Sequence, residues 1–196
     1  MTRLVQTVAV ALSLLWSVGV VSAAQYTFTP LAVPAFGVTQ TTPEGVNDQG
    51  HVVGTYQQGI LVKGFYFDGS AYHDMQVGDC VQVLSYGLNN TGEIVGTCRD
   101  TAEAYHGLVL APDGSFALYD APGASATNLL CINGPGAMAG SLQAADGIHG
   151  VFTDGITWTR IDVPGGTQTQ VWGINDGYFP NGIKLSPKQS RNREVF

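Results

Sequence analysis

The stretch GVNDQGHVVGT at residues 45–55 decides the fold of this chain, because its pattern returns along the sequence. GLNNTGEIVGT at 87–97 lies 42 residues further on, CINGPGAMAGS at 131–141 follows after 44 more, and GIND at 173–176 opens a fourth copy after another 42. A repeat of this period is typical of propeller blades and related arrays. The sequence therefore specifies an architecture before it specifies any activity.

Each of the first three copies contains an asparagine followed three residues later by a glycine. Asn hydrogen-bonds to its own backbone and Gly adopts positive φ at little cost, so this is turn chemistry joining two short strands. We predict six structural turn residues: Asn47, Gly50, Asn89, Gly92, Asn133 and Gly136. A further glycine recurs inside the following strand, at Gly54, Gly96 and Gly140. Its fixed register indicates a close approach of two backbones or a β-bulge.

The first three copies continue in the same way after this hairpin. A strand that opens with a basic residue and a glycine leads to an Asp-Gly pair, which is a strong hairpin signal, and a last short strand comes after it. The opening residues are Lys63, His106 and His149, and the last strands are expected at 72–77, 116–121 and 158–163. The predicted fold is all-β, a repeat protein of four-stranded units arranged as a minimal or incomplete β-propeller.

Three phrases at fixed spacing resemble a known family. They are the Asn-Asp-x-Gly-x-Val-Val-Gly turn at 47–54, the basic-Gly-apolar strand start, and Ile-Asp-Val-Pro-Gly at 161–165. Together they are similar to the HAF repeat of bacterial extracellular proteins, over roughly residues 26–176. The resemblance implies secretion and a β-propeller-like fold, and it implies no reaction and no catalytic residues. The third copy departs from the pattern at Gly134-Pro135, and the fourth departs after Asp176.

The two ends of the chain differ from the repeats. Residues 1–24 read as a secretory signal peptide, with Arg3, a mostly apolar run and small residues at the exit; a membrane anchor is the alternative. The repeat domain is predicted at 25–176, with units at about 43–84, 85–128 and 129–170 and a partial unit at each end. Residues 177–196 leave the period and are predicted to be a disordered tail. We therefore expect a secreted protein, extracellular or periplasmic, with no membrane span after cleavage.

The charge of the mature chain limits its partners. Without residues 1–24 it carries seven basic and 15 acidic residues, a net charge of −8. That balance argues against nucleic acid and anionic lipid as partners. The expected partner is an unknown protein or glycan, with self-association through open blade edges as a further expectation.

Three cysteines, Cys80, Cys98 and Cys131, lie in a chain expected to be exported, where disulfides are permitted. A hairpin about residues 89–92 brings Cys80 and Cys98 onto neighbouring arms, so this pair is preferred, although exact facing places Cys98 nearer Val83. The sequence contains no Cys-x-x-Cys and no pair of His at ligand spacing, so no zinc site and no other cofactor is predicted.

Several residues invite a catalytic interpretation. His106 and His149 occupy one repeat position, and Asp120 and Asp162 another, so a structural role is favoured over acid–base chemistry for glycan cleavage. The charged loop at 99–103 departs from the repeat, and a solvated loop is its favoured identity. We therefore predict no catalytic residues.

The remaining candidates for a functional role are three aromatic residues and one glycosylation sequon. Two roles are open for the aromatic residues Trp158, Trp172 and Tyr178: a sugar-stacking platform or packing in the core. Core packing is favoured. Asn89-Asn90-Thr91 matches a glycosylation acceptor, but turn chemistry explains it. The predicted function is a secreted, non-catalytic binding or surface-interaction module. The alternatives are a secreted carbohydrate-active enzyme and a truncated fragment of a longer repeat protein.

Overall fold

A computed structural model describes residues 27–35 and 37–177 of the chain. The chain divides into two units at Pro30, and residues 27–30, which belong to the first, contain no strand. All the described strands belong to the second unit, which begins at Leu31. The predicted signal peptide at 1–24 lies outside the described residues, as do Tyr178 and the rest of the predicted tail after Gly177.

Twelve β-strands and no helix occur in the described ranges, which confirms the all-β prediction. The strands are β1 (Val38–Val46), β2 (Val52–Gln58), β3 (Leu61–Phe67), β4 (Tyr72–Asp74), β5 (Gln82–Leu88), β6 (Ile94–Arg99), β7 (Tyr105–Leu110), β8 (Phe116–Tyr119), β9 (Ala126–Ile132), β10 (Met138–Ala144), β11 (Gly147–Thr153) and β12 (Trp158–Ile161). No helix of this part of the chain has the length and apolar character needed to cross a bilayer.

The strands form two sheets. Strands β1 to β4 pair in chain order as one antiparallel sheet. The eight-stranded sheet contains two more antiparallel meanders, β5 to β8 and β9 to β12, joined only where Tyr105 pairs with Ala126 in parallel. Each sequence repeat therefore supplies one four-stranded meander.

The recurring strand glycines lie where two backbones approach closely. A Cβ on Gly54, Gly96 or Gly140 would stand 2.2, 2.0 or 1.9 Å from the carbonyl oxygen of a residue in the preceding strand. The pairing register shifts beside these glycines, between Pro43 and Gly45, between Ser85 and Gly87, and between Ala139 and Gly140. The predicted close approach at a bulge is confirmed.

The core forms because the first strand of the second meander lies on the first meander, and that of the third lies on the second. Strand β5 contacts β2 and β3, and β9 contacts β6 and β7. After β12 the chain repeats this arrangement without a named strand, because Val171 is buried against Cys131, Ala139 and Phe152 of the third meander. We call residues 167–175 the fourth first-strand segment.

The connection between meanders also repeats. The backbone N–H of Ala121 donates to Thr127 Oγ1 at 2.9 Å, and that of Val163 donates to Thr169 Oγ1 at 3.1 Å. Val33, before the first meander, donates to Thr41 Oγ1 at 3.2 Å. Residues 31–35 therefore take the place of a connection even though they form no strand.

Cys80 and Cys98 form a disulfide in the structure, and Cys131 is free and buried. In the strand register Cys98 faces Val83, the residue expected opposite it from the position of the turn. Cys80 reaches Cys98 from the turn before β5, where its N–H donates to the carbonyl of Val77 at 3.0 Å. The disulfide thus fixes the connection between the first and second meanders onto β6.

Candidate functional site

The turn asparagines form a ladder that runs from one repeat to the next. Asn47 Nδ2 donates to the carbonyl of Asn89 at 3.2 Å, Asn89 Nδ2 to Asn133 at 3.2 Å, and Asn133 Nδ2 to Asn175 at 3.1 Å. Each side-chain oxygen of the first three also accepts backbone N–H groups of its own turn, as when Asn89 Oδ1 accepts from Thr91 and Glu93. The turn residues singled out by sequence thus join successive meanders.

A second set of contacts runs beside this asparagine ladder. Asn90 Nδ2 donates to Asp48 Oδ2 at 2.6 Å, and the N–H of Asp48 donates to Asn90 Oδ1 at 2.9 Å. At the other end the N–H of Gly134 donates to Asp176 Oδ1 at 2.7 Å. These links could not be predicted from the sequence because they join residues 42 positions apart.

His106 connects three segments of its own meander. Its Nδ1 lies 2.8 Å from Asp120 Oδ1, and its Nε2 lies 3.4 Å from Asp100 Oδ2. The hydrogen bond to Asp120, with the smaller contribution of Asp100, raises the pKa of His106 despite partial burial. A protonated imidazole donates from both nitrogens, so these carboxylates favour the charged form.

His149 is bound in the same way in the third meander. Its Nδ1 lies 2.8 Å from Asp162 Oδ1 and its Nε2 lies 3.0 Å from Asp146 Oδ1. Arg160 donates to both carboxylates, at 2.7 and 3.0 Å. Hydrogen bonds from His149 and Arg160 lower the pKa of Asp162, so this carboxyl is ionised at neutral pH and is poorly suited to act as a general acid.

The first meander has Lys63 at the histidine position, and by the strand register Gln76 takes the place of Asp120 and Asp162. Lys63 Nζ donates to Gln58 Oε1 at 3.2 Å. In all three meanders the basic residue before the third-strand glycine therefore has a partner within its own meander, whether it is Lys or His. The geometry favours the structural interpretation of the two histidines and of their Asp partners over the catalytic one.

Replacing His106 with glutamine should flatten the pH dependence of stability. Because the folded state raises the pKa of His106 above its ordinary 6.5, its contribution to stability is complete below about pH 6.5 and is lost as pH rises through the folded pKa. The free energy of unfolding in urea, measured at about pH 6 and about pH 8.5, should therefore fall more in the parent protein than in His106→Gln. Equal falls would contradict this assignment.

The charged loop at 99–103 is held by its own contacts. Arg99 lies 3.3 Å from Glu103 Oε1, and Asp100 Oδ1 accepts from the N–H groups of Ala102 and Ala104. Asp100 also contacts His106. The loop therefore closes the end of the β6–β7 hairpin, and its charged groups are directed at one another.

The thiol of Cys131, the cysteine outside the disulfide, is unreactive. Cys131 is buried, and its Sγ lies 3.6 Å from the carbonyl oxygen of Ala139. Burial raises the pKa of this thiol to about 12, which leaves almost no thiolate at neutral pH. Within the described ranges no group of three or more His, Cys, Asp or Glu is arranged to hold a metal ion.

The aromatic residues considered for sugar stacking lie in different surroundings. Trp158 packs into two apolar clusters of the core, and Tyr178 lies outside the described residues. Trp172, in the fourth first-strand segment, is 39% exposed and makes an edge contact with Tyr86 of β5 at a centroid distance of 6.5 Å. Two first strands that are not successive along the chain therefore approach each other.

A cleft of about 250 Å³ lies where β7, β9, β10 and β11 meet the fourth first-strand segment. Its walls carry amide, hydroxyl and apolar side chains. They belong to Tyr105, Ala126, Asn128, Ser141, Leu142, Gln143, Ile148 and Gln170. None of these lining residues carries a carboxylate or an imidazole. No pattern in the sequence indicated the cleft, because its walls come from two meanders and the fourth first-strand segment.

No protein-family model and no curated protein matches this chain.

Proposed function

We propose that this protein is an exported, non-catalytic binding module of the HAF-repeat type, and that its cleft binds a neutral, hydroxyl-rich ligand such as a glycan. The observation that carries the proposal is the lining of the cleft. Amide groups donate and accept hydrogen bonds, and an aromatic ring such as that of Tyr105 packs on the apolar face of a sugar. These are the properties that a neutral polyol requires.

The arrangement of the titratable groups supports binding over hydrolysis. Glycan hydrolysis requires two carboxyl groups, one on each side of the scissile bond. Asp120 and Asp162 instead belong to separate meanders, and each contacts the histidine of its own meander. Among the described residues that line the cleft, none can serve as a general acid or base at neutral pH.

The arrangement of the first strands supports a more specific fold class. Four first strands, counting the segment at 167–175, succeed one another with an asparagine contact at each step. The contact between Tyr86 and Trp172 joins the second of these strands to the fourth. A central arrangement of four such strands supports a minimal β-propeller whose fourth blade is incomplete.

Titration with neutral oligosaccharides tests the binding function. We expect the mature chain to bind at least one member of a glycan array, and Tyr105→Ala and Gln143→Ala to weaken that binding about tenfold each, since a lost stack or hydrogen bond is worth about 1.4 kcal/mol. Ile156→Ala, exposed and outside the cleft, is the matched control. Absence of binding to every glycan would refute the proposal, and glycan cleavage abolished by Asp162→Asn would favour the enzyme.

A further inference from the structure

The apolar residue just before the turn asparagine is buried in the second and third meanders but exposed in the first. Leu88 and Ile132, each just before a turn asparagine, are 8% and 9% exposed. Val46 holds the same position in β1 and is 68% exposed. In the second and third meanders the first strand lies on the hairpin formed by the second and third strands of the preceding meander. Strand β1 has no preceding hairpin among the described residues, so the face around Val46 is uncovered.

The other end of the repeat array is uncovered for a related reason. Ala121, in the connection before the third meander, is 3% exposed because it packs on Leu142 of β10 and Val151 of β11. Val33 packs in the same way on Tyr56 and Phe65 of the first meander. The equivalent Val163 is 50% exposed. The element that would cover Val163 is the second- and third-strand hairpin of a fourth unit.

The fourth first-strand segment also has a free edge. In the three meanders the first strand pairs along its length with the second strand. Residues 167–175 contact the third meander, where the N–H groups of Thr169 and Val171 donate to Ile148 and Gly140. Among the described residues no second strand pairs with the segment. An unpaired strand edge is a template for another strand.

Both uncovered surfaces lack the same element. The face of β1 requires a hairpin to lie on, and the segment at 167–175 requires a hairpin to pair with and to cover Val163. Two copies of this chain placed end to end would not supply it, because every described hairpin already pairs with its own first strand and already carries the next first strand, or the segment at 167–175, on its face. The missing partner is therefore a hairpin donor and not a rigid second copy.

We propose that the protein is an acceptor for a β-hairpin supplied by another polypeptide, of the type formed by its own β2–β3, β6–β7 and β10–β11. Strand addition of this kind derives affinity from main-chain hydrogen bonds and specificity from alternate side chains. The donor must carry glycine at the register of Gly54, Gly96 and Gly140, because a Cβ there would collide with the carbonyl of the acceptor strand. This surface includes the segment at 167–175, whose Gln170 also lines the cleft, but the proposal does not rest on the ligand of the cleft.

A synthetic peptide of residues 133–153, the hairpin of the third meander, is the probe. We expect it to bind the mature full-length chain at one per chain, measured by calorimetry. The matched control is the same peptide with Gly140→Val, whose Cβ would meet the acceptor as it meets the Asn128 oxygen, 1.9 Å away, in the protein itself. We expect this control to bind at least about tenfold more weakly, because a collision with the acceptor backbone prevents the close approach of the two strands.

A variant of the acceptor separates this proposal from non-specific association. Val163→Asp replaces an exposed side chain, so the protein should fold, yet it places a charge where the hairpin would cover it. We expect it to lose peptide binding while it keeps the glycan binding of the cleft, and Tyr105→Ala to show the reverse. No binding, equal binding of both peptides, equal binding to Val163→Asp, or occupation of the surface by residues 178–196 or by a second copy would overturn the proposal.

Discussion

Gly96→Ala, the addition of a single carbon, is expected to destabilise the fold by on the order of 4 kcal/mol or more, enough to abolish it in a marginally stable domain. The new Cβ would lie 2.0 Å from the carbonyl oxygen of Leu84 and 3.1 Å from the Cα of Ser85. Both contacts are with backbone, so no side-chain rotation relieves them. Moving β5 would disturb its pairing with β6 and its packing on β2 and β3.

Gly114→Ala is the control for this experiment. Gly114 has φ of +84°, and a Cβ there meets no atom within 4 Å, so the change should cost only about 1 to 2 kcal/mol from the left-handed backbone. The free energy of unfolding in urea compares the two. In an ordinary strand Gly→Ala is stabilising, so a Gly96→Ala protein as stable as the parent would contradict the close approach.

The repeating elements could be predicted from sequence because local chemistry determines them. Turn asparagines, positive-φ glycines and alternating apolar residues act within a few positions of one another. The fourth strands were predicted too long. The strand expected at 72–77 ends at Asp74, and Met75 and Val77 beyond it are buried in a cluster with apolar residues of the second meander. That burial depends on tertiary contacts, which the alternation of residues does not reveal.

The candidate sites were less accessible to sequence analysis because they depend on distance between repeats. The cleft takes Tyr105 from one meander, Gln143 from the next and Gln170 from the fourth first-strand segment. The partners of His106 lie 6 and 14 residues away on different segments, and only the folded meander brings them together. The repeat position nevertheless indicated their role, since a residue type shared by two units is explained most simply by the unit itself.

The asparagine ladder makes a second prediction with a large effect. Asn89→Ala should lower the free energy of unfolding by on the order of 3 kcal/mol, because the N–H groups of Thr91 and Glu93 would lose their acceptor and the contact to Asn133 would disappear. Asn89 is almost fully buried, so water replaces these bonds poorly. Asn89→Asp keeps the acceptor oxygen but places a carboxylate beside Glu93 and the Asn133 carbonyl, and should be destabilising as well.

Asn90→Ala is the neighbouring comparison: it removes an exposed contact between two meanders, the one to Asp48, and should cost about 1 kcal/mol or less. Urea unfolding of the three variants tests two properties of Asn89 at once. In an array of repeats, stability is the sum of terms within units and terms between neighbours. Because the Asn89 amide spans two meanders, its loss should also broaden the transition as the meanders uncouple. A sharp transition with a full loss of stability would mean that Asn89 acts only within its own turn, and a loss no larger than that of Asn90→Ala would refute the ladder as a source of stability.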